Sequence, residues 1–357
     1  MEELLYLNFG FSIALNKNGN VLVVGAPQDI SKDSNDKGYV RIYGYKENLN
    51  SYEILSPSII NGPLSTSTNW DNYEKFGFCV DISPDGKHVI AGTPNANTST
   101  SDPKGQGVIR YYKLVSDADG GGYEELSGAS APSNIYFGAS DFSSSSDPSG
   151  VQFSFSNAIS NDGKLIAAGA PYWRASSDNY GTSTGKVELL RWDPTATTPE
   201  WTTNKVGVTL SSSTGSGSTA GNKLTEIKGT NITSFIDILQ GDSVADSSNN
   251  EFGYSVDFAN NRLIVGAPSK DNSGNNTNDE GAIYIYSCDD SVAIGTANEN
   301  NGLYPIELIS VININGSNTD NLRFGSVVSI SEDGKTFAVG APKKGTSAGT
   351  EDHGMVQ

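Results

Sequence analysis

Residues 9–27 read Phe-Gly-Phe-Ser-Ile-Ala-Leu-Asn-Lys-Asn-Gly-Asn-Val-Leu-Val-Val-Gly-Ala-Pro. Two apolar, β-prone runs lie on either side of an Asn-Gly turn, which is the pattern of a β-hairpin. The second run is almost wholly apolar, which predicts a strand that is covered on both faces. Gly25 and Ala26 then allow close approach of another backbone, and Pro27 ends the pairing because it has no N–H to donate.

The same pattern occurs five times along the 357 residues, at intervals of 67 to 99 residues. From the first Phe to the second Gly the offset is 16 residues in four copies and 14 in the fourth, whose turn is shorter by two. Such a fixed offset is the signature of a repeat protein. The copies begin at Phe9-Gly10, Phe76-Gly77, Phe153-Ser154, Phe252-Gly253 and Phe324-Gly325, and their second landmarks are Gly25-Ala26-Pro27, Gly92-Thr93-Pro94, Gly169-Ala170-Pro171, Gly266-Ala267-Pro268 and Gly340-Ala341-Pro342.

Each copy continues with a polar loop of about a dozen residues and a third β run with alternating polarity, as in Tyr39-Val40-Arg41-Ile42-Tyr43. A weaker fourth apolar run closes most copies. A sandwich domain needs about seven strands of its own, so units of four strands must share a core with their neighbours. The pattern therefore predicts an all-β fold, a β-propeller of four-stranded antiparallel blades.

The paired landmarks resemble the FG-GAP repeat, which is found in the β-propeller of integrin α-subunits and in many microbial and algal surface proteins. Turns of the form Ser-x-Asp-Gly-Lys, such as residues 83–87, are most similar to the microbial and algal variety. The resemblance covers nearly the whole chain. It implies a propeller that binds other molecules, but the calcium loop of integrin repeats, Asp-x-Asn-x-Asp-Gly between the first two strands, is too short here to be carried over.

The domain prediction is a single FG-GAP propeller over residues 1–357, with repeats starting near 9, 76, 153, 252 and 324 and the last one incomplete. Integrin-type propellers have seven blades, whereas five copies are visible here. Two arrangements are open: a closed five-blade ring, with residues 2–7 supplying an outer strand, or part of a larger propeller whose further blades lie outside this segment. Open sheet edges would then be prone to association.

Charge and hydropathy exclude several classes of partner. The net charge is −18, from 41 acidic and 23 basic residues, which disfavours nucleic acid and anionic membranes. No apolar run approaches the ~18 residues of a membrane helix, so direct membrane insertion is not expected. The first ten residues lack the basic and apolar segments of a signal peptide.

The loops after Gly-Ala-Pro contain the candidate metal ligands. Oxygen-bearing side chains alternate along two of these loops, and calcium takes six to eight oxygen ligands. An acidic loop exposed to solvent would have the same pattern. The prediction is therefore that no cofactor is required, with calcium binding at these loops as the alternative. The candidate ligands are Asp29, Asp33 and Asn35 in one loop and Asp271, Asn275 and Asp279 in the other.

No catalytic constellation is visible. Asp81 and Asp257 occupy equivalent positions of two first strands, and a pair of carboxylates is what glycoside hydrolysis requires. Because the two residues belong to non-adjacent copies of the repeat, they are expected to cap turns rather than to act together in catalysis. His88 and His353 have no motif partner. The chain is therefore predicted not to be an enzyme, with no catalytic residue.

The predicted function is extracellular or cell-surface binding of a protein or glycan through loops on one propeller face. It depends on the resemblance, because a fold alone is compatible with many functions. Tyrosines on the third strands could stack on sugars, but they are expected to fill space between blades. Sequons at Asn97, Asn231, Asn275 and Asn315 permit glycosylation. The alternatives are a structural surface or wall component and a non-catalytic module of a larger enzyme.

Overall fold

The computed structural model of the chain consists of β-strands and turns. It describes residues 8–27, 38–62, 75–96, 105, 107–115, 122–125, 135–137, 152–163, 165–172, 185–193, 200–202, 250–271, 279–288, 306–314, 321–343 and 354–356. Their strands form five antiparallel sheets, one for each copy of the repeat. Within these ranges there is no helix, and hence none of a length that crosses a membrane. The all-β prediction is confirmed.

The first two sheets have an interrupted outer strand. In both, the first, second and third strands follow one another, and two short strands pair with different parts of the third. Sheet 1 consists of β1 Ser12–Leu15, β2 Val21–Ala26, β3 Tyr39–Lys46, β4 Ser51–Ile54 and β5 Ile60–Asn61. Sheet 2 consists of β6 Val80–Ile82, β7 His88–Thr93, β8 Val108–Leu114, β9 Tyr123–Glu125 and β10 Ile135–Phe137.

The remaining sheets follow the same order of strands. Sheets 3 and 4 have four strands each, and sheet 5 has three within the described residues. Sheet 3 consists of β11 Ser156–Ile159, β12 Leu165–Ala170, β13 Lys186–Asp193 and β14 Glu200–Thr202. Sheet 4 consists of β15 Ser255–Ala259, β16 Arg262–Ala267, β17 Ala282–Cys288 and β18 Ile306–Asn313. Sheet 5 consists of β19 Val327–Ile330, β20 Phe337–Ala341 and β21 Met355–Val356. These meandering antiparallel sheets are β-propeller blades, as predicted.

The chain divides into two compact units. One comprises Met1–Ile166 with Trp192–Trp201, and the other comprises Ala167–Arg191 with Thr202–Gln357. The boundary lies inside sheet 3, between Ile166 and Ala167 of β12. The first unit contains sheets 1 and 2, and the second contains sheets 4 and 5. That all five copies form one propeller domain stays a prediction.

Neighbouring sheets within each unit pack face to face. In the first unit, Val23 and Ile42 of sheet 1 belong to the same apolar core as Val80 and Val89 of sheet 2. In the second unit, Ile264 and Ile283 of sheet 4 share a core with Phe324, Val328 and Val339 of sheet 5. The second strands of sheets 2, 3 and 4 are buried almost throughout, as their apolar sequences predicted, whereas β20 of sheet 5 is only partly buried.

The Phe-Gly landmark is the point where one sheet meets the next. Phe76 forms a parallel β-bridge with Gly38 of sheet 1, and Phe324 forms the same bridge with Gly281 of sheet 4. The second Gly of the pattern lies against the following sheet so closely that a Cβ on Gly266 would overlap the carbonyl oxygen of Gly325. The repeat therefore encodes the contact between successive blades as well as the blade itself.

The Ser-x-Asp-Gly-Lys turns are closed by their own side chains. Ser331 Oγ donates to Asp333 Oδ1 at 2.7 Å, and the backbone N–H of Lys335 donates to the same oxygen at 3.1 Å. The backbone N–H of Thr336 then donates to Ser331 Oγ at 3.0 Å. Ser83 and Asp85 make the equivalent bonds in sheet 2. Such local bonds to Ser and Asp side chains fix a turn that both strands require.

Candidate functional site

In each sheet the first strand begins beside the end of the second strand. The backbone N–H of Gly10 donates to the Gly25 carbonyl at 3.1 Å, and Gly325 makes the same bond to Gly340. The connection from the second to the third strand therefore leaves from the edge at which the first strand begins. We call this end of the strands the loop edge of a sheet. The opposite end of the strands, where the β-hairpin turns join the first strand to the second, is called the turn edge.

The connections among the first three strands differ in length between the two edges. At the loop edge, 12 to 15 residues separate the second strand from the third in all five sheets. At the turn edge, only two to six residues separate the first strand from the second. The tight turns have no room for a binding surface, whereas the long connections begin and end on fixed strands. Loops on such a scaffold are where binding residues concentrate.

The residue before each landmark Phe also lies at the loop edge. It adopts a left-handed backbone conformation in every copy, with φ from 50° at Asn8 to 60° at Lys75. Among non-glycine residues this conformation is uncommon and is maintained only where surrounding contacts enforce it. The five residues are Asn8, Lys75, Gln152, Glu251 and Arg323, of which three are charged.

Arg323 and Glu251 form a polar cluster at the loop edge of sheets 4 and 5. Arg323 Nη2 lies 2.5 Å from Glu251 Oε2, and Nη1 donates to Ser269 Oγ at 2.8 Å. Ser269 Oγ in turn donates to Glu251 Oε2 at 3.1 Å. Glu251 and Ser269 are buried, and Arg323 lies over the ring of Tyr254. We call Glu251, Tyr254, Ser269 and Arg323 the Arg323 cluster.

The electrostatics of the cluster follow from this pairing. Burial alone would lower the pKa of Arg323, but the charge and hydrogen bond of Glu251 raise it. Arg323 is therefore held in its charged form beside Glu251. Burial also raises the pKa of Tyr172 to about 12, with a further contribution from Glu251. The Tyr172 hydroxyl is therefore neutral at physiological pH.

Two of the predicted metal ligands border the Arg323 cluster. The backbone N–H of Asp279 donates to Asp271 Oδ1 at 2.9 Å, so the two ends of this loop are brought together. Burial raises the pKa of the Asp279 carboxyl, and Arg323 Nη1, 4.0 Å from Asp279 Oδ2, partly offsets this effect. Asn275 of the same loop, and Asp29, Asp33 and Asn35 of the other, lie outside the described residues.

Calcium binding by either loop stays a prediction. Across the ranges that the structure describes, no group of three or more His, Cys, Asp or Glu side chains is arranged to hold a metal ion. At Asp279 the nearby guanidinium group already supplies a positive charge. A cation bound there would have to compete with Arg323, which disfavours this loop relative to the one at residues 28–37.

The turn-capping interpretation of Asp81 and Asp257 is wrong. Both lie within first strands, β6 and β15, rather than in turns. Asp81 Oδ2 accepts a 2.8 Å hydrogen bond from the backbone N–H of Ile159, and Asp257 Oδ2 accepts one of 2.7 Å from Ile330. Each carboxylate thus satisfies a backbone group of the following sheet. Neither carboxylate is presented as a free acid or base for catalysis.

The other residues that were considered for catalysis or for sugar binding also make structural contacts, where the structure describes them. His88 Nδ1 is hydrogen-bonded to the hydroxyl of Tyr111, and the two rings stack with centroids 5.7 Å apart. Tyr112, Tyr284 and Tyr286 are buried between strands, which confirms that these third-strand tyrosines fill space. His353 and the four sequon asparagines lie outside the described residues.

Sequence reasoning missed the Arg323 cluster. Its ion pair joins residues that are 72 positions apart, a separation that no local pattern reveals. One signal was present: each charged residue stands immediately before a landmark Phe, at equivalent positions of consecutive copies. Equivalent positions of adjacent blades face each other across the blade contact, so opposite charges at that position predict a pair.

Comparison with known families supports the repeat assignment. A family model described as FG-GAP repeat matches residues 245–286, which include β15, β16 and the start of β17 through Tyr286. No curated protein matches the chain. The other four copies have equivalent landmarks at the same positions of their sheets, with Ser154 in place of Gly in one copy and Thr93 in place of Ala in another. The chain thus carries FG-GAP repeat sequence in β-propeller blades.

Proposed function

We propose that this FG-GAP propeller chain is a non-enzymatic binding module that acts outside the cell or at the cell surface. In this proposal it recognises a protein or a glycan through the connections at the loop edge of its blades. The module requires no cofactor for this task, and its acidic surface keeps nucleic acid and anionic membranes away.

The observation that carries the proposal is the contrast between the two edges of the sheets. Five connections of 12 to 15 residues join the second strands to the third at the loop edge, whereas the turns between first and second strands at the turn edge have six residues or fewer. The strands that hold the long connections are repeated with little change, while the connections differ in sequence. Constant strands with variable loops are the arrangement of a recognition surface.

The Arg323 cluster supports this use of the loop edge. It joins Glu251 and Arg323, the residues that precede the landmark Phe in two successive blades. The backbone N–H of Arg323 also donates to the Asp279 carbonyl at 3.0 Å. The connection at residues 268–281 is therefore held at its C-terminal end by the neighbouring blade. A loop that is held in place loses less conformational entropy on binding, which strengthens affinity.

The contacts of the candidate catalytic groups favour binding over catalysis. Asp81 and Asp257 accept backbone hydrogen bonds, and His88 pairs with Tyr111. General acid–base catalysis needs a group that can reach the substrate and exchange a proton with it. These three groups are occupied by structural contacts, so their presence does not argue for an active site.

The proposal is tested by binding of the labelled chain to arrayed glycans and to arrayed cell-surface protein ectodomains. The loop-edge variant is Lys270→Glu with Lys343→Glu, and the matched control is Lys87→Glu with Lys335→Glu at the turn edge. Both double variants change the net charge equally. We expect the loop-edge variant to lose the signal and the turn-edge variant to keep it. Equal loss in both, or no captured ligand on either array, would argue against the proposal.

A further inference from the structure

The fourth strand of sheet 4 pairs with a neighbour on one side only. β18 is bonded to β17, and across the ranges that the structure describes no further strand follows it in the sheet. An edge strand of this kind directs alternate backbone N–H and C=O groups away from the sheet. We call this the open side of β18. The contact of sheet 4 with sheet 5 is made by a face of the sheet, so it does not involve the open side.

Length and composition distinguish β18 from the other outer strands. β18 has eight residues, whereas the outer strands β4, β5, β9, β10 and β14 of sheets 1 to 3 have two to four residues each. Proteins limit unwanted pairing at sheet edges with very short strands and with lysine or proline. Residues 306–313 contain no lysine, arginine or proline. The open side of β18 therefore lacks both of these protections.

A β-bulge at Ile309 limits what the open side can bind. Ile285 pairs with Ser310 and Tyr286 pairs with Leu308, so Ile309 is an extra residue between them. A bulge bends the strand and increases its twist, which interrupts any long, flat pairing. A short extended segment can still pair along Ser310–Asn313. The side chain of Ile309 is 50% exposed at the start of this segment.

We propose that Ser310–Asn313 binds a short extended segment of a basic partner protein as an additional β-strand of sheet 4. Backbone hydrogen bonds on the open side supply the affinity in this mode of recognition, and side chains beside the strand supply the specificity. Ile309 is the side chain that contacts an apolar residue of the partner. This surface is distinct from the loop edge, so the inference does not depend on recognition by the loops.

Charge and strand geometry favour a basic partner over a second copy of the chain. The net charge of −18 attracts a basic segment and repels another copy that carries the same charge. Two copies paired through β18 would also have to accommodate a bulge in both strands. A partner segment that alternates β-branched with basic residues meets both conditions, because its basic side chains can point away from sheet 4.

The test begins with a phage-displayed library of random linear peptides, selected for binding to the full chain. We expect the enriched peptides to be rich in basic and β-branched residues. Each is then synthesised in its ordinary form and in two N-methylated forms, one at odd and one at even residues. Only alternate N–H groups of a paired strand face its neighbour. One N-methylated form should therefore bind at least about tenfold more weakly, while the other keeps most of the affinity.

Two matched lysine substitutions locate the binding strand. Ile309→Lys places a charge of the kind that protects natural edge strands at the bulge of β18. Ile54→Lys is the control, because Ile54 is 46% exposed and lies in β4, the outer strand of sheet 1. Both variants change the net charge equally. We expect Ile309→Lys to bind the peptides at least about tenfold more weakly and Ile54→Lys to bind them within about twofold of the unmodified chain.

Hydrogen exchange of the unmodified chain tests the backbone pairing even if Ile309→Lys fails to fold. Bound peptide should slow the exchange of N–H groups within Ser310–Asn313. A selection that enriches no peptide, unchanged exchange in β18, or equal binding by both lysine variants overturns the proposal. Self-association of the chain that Ile309→Lys abolishes overturns the choice of partner.

The loop-edge variant Lys270→Glu with Lys343→Glu separates this inference from the proposed function. It should bind the selected peptides as the unmodified chain does. Peptides that lose binding in this variant and keep it in Ile309→Lys would overturn strand addition at β18 and would support recognition by the loop edge instead.

Discussion

The backbone N–H of Ile330 donates a 2.7 Å hydrogen bond to Oδ2 of Asp257, which joins the first strands of sheets 4 and 5. The other carboxylate oxygen accepts a 2.8 Å bond from the backbone N–H of Phe258 in its own strand. One side chain thus satisfies two backbone donors that the sheets leave without a strand partner at this position. Asp81 does the same between Ile82 and Ile159 in the first unit.

Replacement of Asp257 by alanine should destabilise the second unit by about 2–4 kcal/mol, because it leaves two largely buried N–H groups without their acceptor. Urea unfolding followed by circular dichroism measures the loss. The control is Asp333→Ala in an exposed turn, which we expect to have a smaller effect. If both variants unfold at the same urea concentration, the bond between the sheets does not stabilise the unit.

Gly266→Ala and Gly340→Ala are matched substitutions at equivalent positions of two second strands. The first places a methyl group on the carbonyl of Gly325 and should cost about 3 kcal/mol through overpacking. The second would meet Val327 Cβ at 3.5 Å, an ordinary van der Waals distance, and should change the free energy of unfolding by less than about 0.5 kcal/mol. Thermal unfolding at low protein concentration compares the two. Equal destabilisation would show that the close approach at Gly266 is not specific to the blade contact.

Arg323→Ala should be strongly destabilising, since it leaves the buried carboxylate of Glu251 without its counter-charge. Breaking a buried pair in this way typically costs about 3–5 kcal/mol. The double variant Arg323→Ala with Glu251→Ala should recover part of the loss, because no unpaired charge remains. Urea unfolding of the two single variants and the double variant gives the coupling energy. A coupling near zero would mean that the pair is not formed in solution.

His88 should make the first unit less stable in mild acid. Burial lowers the pKa of His88, partly opposed by Asp85, so the folded state resists protonation more than the unfolded state does. The contribution of a depressed histidine is fully present above its unfolded pKa of about 6.5 and is lost as pH falls through the folded value. Between pH 7.5 and pH 5.5 the unmodified chain should lose more stability than His88→Gln. Parallel stability curves for the two proteins would contradict this expectation.

Calcium, if it binds, should act first at residues 28–37. Arg323 lies 4.0 Å from Asp279 and repels a cation at the second loop. Calcium at a hundredfold excess over Kd would stabilise the chain by about 2.7 kcal/mol. Asp29→Asn with Asp33→Asn should remove this gain, whereas Asp271→Asn with Asp279→Asn should leave most of it. Melting temperatures with calcium and with EDTA provide the measurement, and an identical Tm in both conditions would end the calcium prediction.

The amino-acid sequence by itself determined the blade. Alternating and continuous apolar runs, Asn-Gly and Asp-Gly turns, and the fixed spacing of Phe-Gly and Gly-Ala-Pro are all local, because a β-hairpin is formed by residues close together in the chain. Each predicted first, second and third strand is present. The buried second strand follows from a run such as Leu165-Ile166-Ala167-Ala168, which has no polar face to expose.

The tertiary structure alone decided what the polar residues do. Asp257 and Ile330 are 73 residues apart, and Arg323 and Glu251 are 72 residues apart. The sequence gives each residue its chemical type but not its neighbour across a blade contact. Asp81 and Asp257 could therefore be interpreted as turn caps until the packing of sheets placed each one against a backbone N–H. Packing between blades brings equivalent positions of different copies together, and that juxtaposition is absent from any single repeat.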